Sequence, residues 1–314
     1  MKLTLLLFFS CLIGYSQTDK NQVTPFLNDI ISQFPNVRDV AISSTQDEVV
    51  FSAQSYMSDI SALVTVKKIA NGWSKPEIVS FSGQYFDLEP YFSEDGLSLY
   101  FVSNRPLDSS STEVKDFDIW YVTRTSKTAE WSEPINVGAP INTSMDEFYP
   151  IITTSKNIYF TLDNQELKQK DNIYVSEFVN GVYTTPKSVG TGVNSDGYEF
   201  NAYVSPDESL MIYTGYNKQG GFGSGDLYIS YKDENGKWTA SKNMGEPING
   251  DKMDYCPFVD MNSKTLYFTS KRNAIAPDFK TKSSTETLMK TFESYENGLS
   301  RLYQVDISGF LEKY

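Results

Sequence analysis

At 314 residues, 39% hydrophobic and 21% charged, the chain is long enough for one large domain or two average ones, and it is neither a disordered tail nor a membrane bundle. Forty acidic against 27 basic residues give a formal charge of -13, which disfavours nucleic acid and anionic membranes as partners. The absence of histidine excludes Ser-His-Asp and Cys-His mechanisms, His-ligated zinc and the usual general base near neutrality.

The amino terminus begins Met-Lys, runs almost continuously apolar from Leu3 to Ile13, and continues Gly14-Tyr15-Ser16. A positive start, a short apolar stretch and small residues describe a secretory signal at 1–16, cleaved after Ser16, and the run is shorter than the ~18 apolar residues of a membrane span. The expectation is an exported protein, periplasmic or extracellular, without a transmembrane segment. A lipoprotein with lipidated Cys11 is the alternative, opposed by bulky Phe8 and Phe9 and by Leu12-Ile13 beyond the cysteine. Loss of the signal leaves Cys256 as the only cysteine, so no internal disulfide forms.

The rest of the chain repeats itself. Trp131-Ser-Glu-Pro134, Val137-Gly138, Pro140-Ile-Asn142, Asp146-Glu147 and Tyr149-Pro150 recur as Trp238, Gly245, Pro247-Ile-Asn249, Asp254 and Cys256-Pro257. Weaker copies start at Trp73 and Tyr183, so the aromatic anchors come every 52 to 58 residues. A second block, Ser93-Glu-Asp-Gly96 then Leu99-Tyr-Phe101, is echoed by Ser205-Pro-Asp207 with Met211-Ile-Tyr213 and by Leu266-Tyr-Phe268. A third, Asp118-Ile-Trp120-Tyr-Val122, is echoed by Asn172-Ile-Tyr174-Val175 and Asp226-Leu-Tyr228-Ile229. Each unit offers four short β-runs separated by tight-turn signals, and units of this period indicate an all-β propeller of four-stranded blades. Units beginning near residues 36, 86, 146, 197 and 252 give five blades in a single domain over 36–314. A sixth would have to come from 17–35 and the insertion at 273–300, neither of which repeats the signature. The last unit lacks an outer strand, and Val23–Leu27 within the 17–35 segment is a candidate to close the ring. One short helix, Ser283 to Tyr295, interrupts the last blade, with Ser283 and Glu286 as a capping box and Leu288, Met289 and Phe292 along one face.

Ser93-Glu-Asp-Gly96 through Phe101-Val-Ser103-Asn-Arg105, and the copy from Asp260 to Arg272, resemble the WD40-like β-propeller repeat of the TolB-like superfamily. The resemblance spans about residues 36–310. It implies an envelope, periplasmic or secreted interaction platform more than an enzyme, although five units depart from the six blades of TolB itself.

The carboxylates Asp87, Glu89, Asp146, Glu147, Asp196, Glu199 and Asp254 come just before the expected innermost strands, where they would ring one mouth of the channel. They read either as a cation site or docking ring for a basic partner, or as acceptors of loop backbone N–H groups, and their repetition favours the second. Arg105 and Arg272 end equivalent strands and read as contacts for an anionic ligand or as partners of these acids. No motif calls for a cofactor; calcium is the one ion such acids suit, and Asp116-Phe-Asp118 alone does not make a site for it. Gly220–Gly225 lacks the Lys-Ser/Thr ending of a phosphate loop and reads as a hairpin. Cys256 reads as a small buried residue rather than a nucleophile. The functional expectation is a non-catalytic scaffold for a protein or glycan partner in the cell envelope; the alternative is a glycan-active hydrolase or lyase using two channel-mouth carboxylates without repeat counterparts.

Overall fold

The computed structural model describes residues 22–108, 110–163, 170–276 and 280–311; the proposed signal at 1–16 and Cys11 lie outside the described residues. Its antiparallel sheets form five blades around one axis. Blade 1 holds Asn36–Ile42, Glu48–Gln54, Ser61–Ile69 and Glu77–Ile78. Blade 2 holds Asp87–Phe92, Ser98–Ser103, Asp118–Thr123 and Ile135–Asn136. Blade 3 holds Asp146–Ile152, Ile158–Asp163, Asn172–Ser176 and Lys187–Ser188. Blade 4 holds Tyr198–Val204, Leu210–Tyr216, Gly225–Tyr231 and Lys242–Asn243. Blade 5 holds Asp254–Asp260, Thr265–Ser270 and Arg301–Asp306, and its outermost strand is Thr24–Pro25 from the other end of the chain. The first strand of each blade is innermost, and these five neighbour one another around the axis.

Middle strands are buried on both faces, because each blade is sandwiched between two others. Val50, Leu63, Leu99, Phe101 and Trp120 thus form one cluster across blades 1 and 2. The sequence therefore reads there as short continuous apolar runs, a pattern that burial on both faces imposes. The Ser93-Glu-Asp-Gly96 turn places its glycine at φ 68°, a left-handed position that Gln46, Lys156, Glu208 and Lys264 occupy in the other blades. The repeated Ile-Asn element has a local cause as well. Asn142 accepts from the Ile119 N–H at 3.0 Å and donates to its carbonyl at 2.8 Å; Asn194 does the same to Ile173 and Asn249 to Leu227. One amide side chain thereby fixes each of these three inter-blade loops to a third strand, while Ile141, Val193 and Ile248 beside it are buried.

Buried polar clamps join blades on the side opposite the inner-strand starts. Arg124 Nη2 donates to Glu48 Oε2 at 2.7 Å and its guanidinium lies 4.2 Å from the Trp131 ring centre. Glu208 accepts from Thr153, Ser155, Asn157, Tyr159 and Lys232; against the effect of burial, these bonds hold its carboxyl down to about 2. The last-blade helix is Thr285–Phe292, and its cap is Ser284 rather than Ser283: the Ser284 hydroxyl accepts from the Thr287 N–H at 3.1 Å. A threonine at the third helical position, not Glu286, answers the cap. None of the helix residues is buried, so Leu288, Met289 and Phe292 stay exposed. No helix among the described residues is long and apolar enough to cross a membrane.

Candidate functional site: the axis and its upper mouth

The upper face is the one where the innermost strands begin. Each of those strands breaks register with its neighbour, at Asp39 in blade 1 and over two residues beginning with Glu89, Tyr149, Asn201 and Cys256 in the others. All five have left-handed backbone, with φ between 49° and 56°. Such a conformation costs a non-glycine residue about 1–3 kcal/mol, so the surroundings hold it in place. The bulges bring one side chain per blade to the axis, where they bond to one another.

Arg38 organises this axial cluster. Its Nε donates to both Asp39 oxygens at 2.9 and 3.1 Å, and its Nη2 to Glu89 Oε1 at 2.7 Å. Glu89 also accepts from Asn201 Nδ2 at 3.0 Å and from the Tyr149 backbone N–H at 2.7 Å. The Cys256 thiol donates to Asn201 Oδ1 at 3.4 Å and accepts from Arg38 at the same distance. Tyr149 closes the circuit by donating its hydroxyl to the Pro257 carbonyl at 2.9 Å. All five blades are tied together, and the five bulge residues are buried. Burial pushes the Glu89 carboxyl up to about 7 against the pull of Arg38, and pushes the Cys256 thiol well up.

The seven carboxylates singled out by repetition do not form one ring. Asp87, Glu147, Glu199 and Asp254 occupy one position, two residues before the bulge, and lie inside the innermost strands rather than before them. Glu89 is on the axis instead. Asp146 is half-buried and accepts from the Phe117 N–H at 2.8 Å, and Asp196 is exposed in a loop. Within the set of four, Glu147, Glu199 and Asp254 accept from the backbone N–H groups of Thr143, Ser195 and Gly250, four residues earlier in the inter-blade loop. Asp87 takes the Ser82 hydroxyl at 2.6 Å. Arg105 is buried and holds Asp87 at 2.7 Å, Lys218 holds Glu199 at 2.5 Å, and Arg272 stands 3.8 Å from Asp254 while donating to the Pro247 and Ile248 carbonyls. Glu147 has no ion pair among the described residues, and burial pushes its carboxyl up to about 8. Three acids compensated and one protonated leave this position with little net charge.

Blade 1 breaks the pattern. Acid and cation lie 18 or 19 residues apart in blades 2 and 4; in blade 1 the acid position holds Val37, and the residues 18 and 19 further on are Ser55 and Tyr56. A cavity of about 350 Å³ opens there, with Arg38 in its wall together with Asn36, Tyr56, Phe86, Tyr255 and Lys271. It adjoins a second, of about 440 Å³, that reaches Tyr216, Asp251 and Lys252.

Among the described residues, no group of three or more His, Cys, Asp or Glu side chains is arranged to hold a metal ion. Asp116 and Asp118 instead both hold Lys115, at 3.0 and 2.6 Å. The Gly220–Gly225 stretch is a hairpin between two strands of blade 4; a Cβ on Gly223 would overlap the Lys252 carbonyl oxygen, which is the reason for glycine there. Arg38, Asp39 and Asn201 escaped notice in the sequence. Their signal is the variable column beside a constant one: Val37-Arg-Asp39, Asp87-Leu-Glu89, Glu147-Phe-Tyr149, Glu199-Phe-Asn201, Asp254-Tyr-Cys256.

The chain is a five-bladed β-propeller. No protein-family model matches it, and no curated protein does. Among solved structures it is similar to the catalytic domain of a GH62 α-L-arabinofuranosidase from Coprinopsis cinerea, at 13% identity over 87% of this chain and 91% of that one, with a TM-score of 0.53. A GH43 endo-arabinanase from Bacillus licheniformis matches at 12% identity over 87% and 94%, with a TM-score of 0.51. A putative TolB from Agrobacterium tumefaciens matches at 13% identity over 74% and 69%, with a TM-score of 0.48. Likeness at such identities shows the fold alone.

Proposed function

We propose that this protein is an exported, non-catalytic propeller that binds a protein or glycan partner of the cell envelope through its upper face. The observation that carries the reading is the state of the axial acids. Asp39 and Glu89 are 1% and 3% exposed, and their oxygens are engaged by Arg38, Asn201 and backbone N–H groups. Carboxylates committed in this way tie the blades together and have no face to offer a glycosidic oxygen. Above them the cavity is open and lined by polar and aromatic groups, which suits binding.

One observation favours the second reading, a glycan hydrolase: Asp39 and Glu89 are two neighbouring acids without counterparts in the other blades. The test is incubation with immobilised envelope glycans and with arabinan, the substrate class named for the endo-arabinanase of like fold. Retention without release of reducing ends is the expected result. Release that Glu89→Gln or Asp39→Asn abolishes, in protein that still folds, would overturn the scaffold.

A further inference from the structure

The upper cavity breaks the charge pattern of the molecule around it. The protein carries a formal charge of -13, yet the cavity of about 350 Å³ has Arg38 and Lys271 in its wall and no aspartate or glutamate. Arg38 commits Nε and Nη2 to the axial cluster, but Nη1 has no hydrogen-bond partner among the described residues. Lys271 is exposed, and its ammonium has no partner among them either. Elsewhere on this face the cations are spent: Arg105 on Asp87, Lys218 on Glu199, Arg272 on loop carbonyls. A free ammonium and one unengaged guanidinium nitrogen at one concave site are an arrangement that receives an anion.

The other liners narrow the class. Gln54 and Ser58 bring hydrogen-bonding groups, while Asn36 and Ser300 are committed to Ser55, Tyr56 and Tyr255, and Tyr56, Phe86 and Tyr255 bring rings. Tyr56 is 71% exposed and stands 19 residues after Val37, the spacing at which blade 4 places Lys218 after Glu199. A wall that mixes amides, hydroxyls and aromatic faces suits a ring bearing several hydroxyls, and the free cations suit a carboxylate on that ring. We propose that the cavity binds a uronate, the acidic sugar residue of an anionic glycan. This rests on the scaffold reading above and specifies its ligand. The acidic surface repels such a glycan only at short range, within the screening length of about 8 Å at physiological salt, so recognition depends on direct contact in the cavity.

The experiment is calorimetric titration of the whole protein with oligogalacturonides and oligoglucuronides, with the matching neutral galactose and glucose oligomers, and with a short peptide whose carboxyl terminus is free. Uronides are expected to bind about ten-fold or more tightly than the neutral oligomers, and Lys271→Glu to weaken uronide binding by a similar factor. Lys271 is exposed and outside the axial cluster, so its variant is expected to melt with the wild type. Tyr56→Ala provides a second variant, which should weaken all sugars alike. Equal binding of acidic and neutral oligomers, binding indifferent to Lys271→Glu, or no binding at all would overturn the uronate assignment while leaving the scaffold reading to its own assay. Tighter binding of the peptide would move the site to a protein carboxylate and overturn it too. Cleavage of an oligomer would instead sink the scaffold.

Discussion

Two columns of residues run around the same five innermost strands, two positions apart, and they behave in opposite ways. The outer column is nearly periodic: Asp87, Glu147, Glu199 and Asp254 each serve the blade junction next to them, by accepting loop groups and, in three blades, by meeting a cation. The axial column is Asp39, Glu89, Tyr149, Asn201 and Cys256, with five different side chains on five like backbones. A residue that answers only to its own blade can be repeated. A residue that meets its four counterparts at the axis cannot, because five identical acids there would repel one another and five identical donors would find no acceptor. Sameness marks the local seam in this ring, and difference marks where all blades meet.

The largest effect is expected at the axis. Glu89→Ala removes the acceptor for Arg38 Nη2, Asn201 and the Tyr149 N–H together, leaving the half-buried guanidinium with Asp39 as its one acid. Breaking a buried pair from one side costs about 3–5 kcal/mol, which urea unfolding would read as a large fall in midpoint. A loss under about 1 kcal/mol would mean that the axial bonds add little to what the blade cores already supply.

The same contrast governs what was legible in the sequence. The blades were readable because their turns recur and three of them set the same asparagine against the third strand, so Asn142, Asn194 and Asn249 recur in step with Trp and Pro. Repetition also drew attention to the outer acids, but Glu89 was grouped with them although its neighbours in space are Arg38 and Asn201. Spacing alone does not tell which of two acids two residues apart points to the axis; the bulge decides that, and no residue type announces it. The Glu48–Arg124 clamp was invisible for a related reason: it joins residues 76 apart at one junction only.

A smaller effect is expected in the outer column, at its one member without a cation. The Glu147 carboxyl rises from its ordinary 4.5 to about 8 through burial. Its folded value thus exceeds its unfolded value, so the fold prefers the protonated form. This contribution is complete below about pH 4.5 and drains away as pH rises through 8. Glu147→Gln is always neutral, so it should match wild type near pH 4.5 and be the more stable protein at pH 8 to 9. Melting temperatures across that range check the sign. Some downward slope should survive in the variant up to about pH 7, because Glu89 has the same sign. Parallel curves for the two proteins would show that Glu147 is ionised in the fold, and the outer column would then carry a net negative charge.

The smallest effect should come from the axis again, and it separates charge from mere position. Cys256 shares the bulge backbone of Glu89, but its contacts are two long bonds of 3.4 Å to Asn201 and Arg38. A serine hydroxyl donates and accepts in the same directions and occupies nearly the same volume, so Cys256→Ser should cost less than about 1 kcal/mol by urea unfolding. The native thiol is fully buried and held protonated, and should react with an alkylating reagent only after denaturant is added. If the serine variant instead falls as far as Glu89→Ala, the energy of the axis lies in the fit of all five side chains. If it stays near wild type, that energy lies in the Arg38–Asp39–Glu89 triad, and the remaining bulge positions are free to differ as they do.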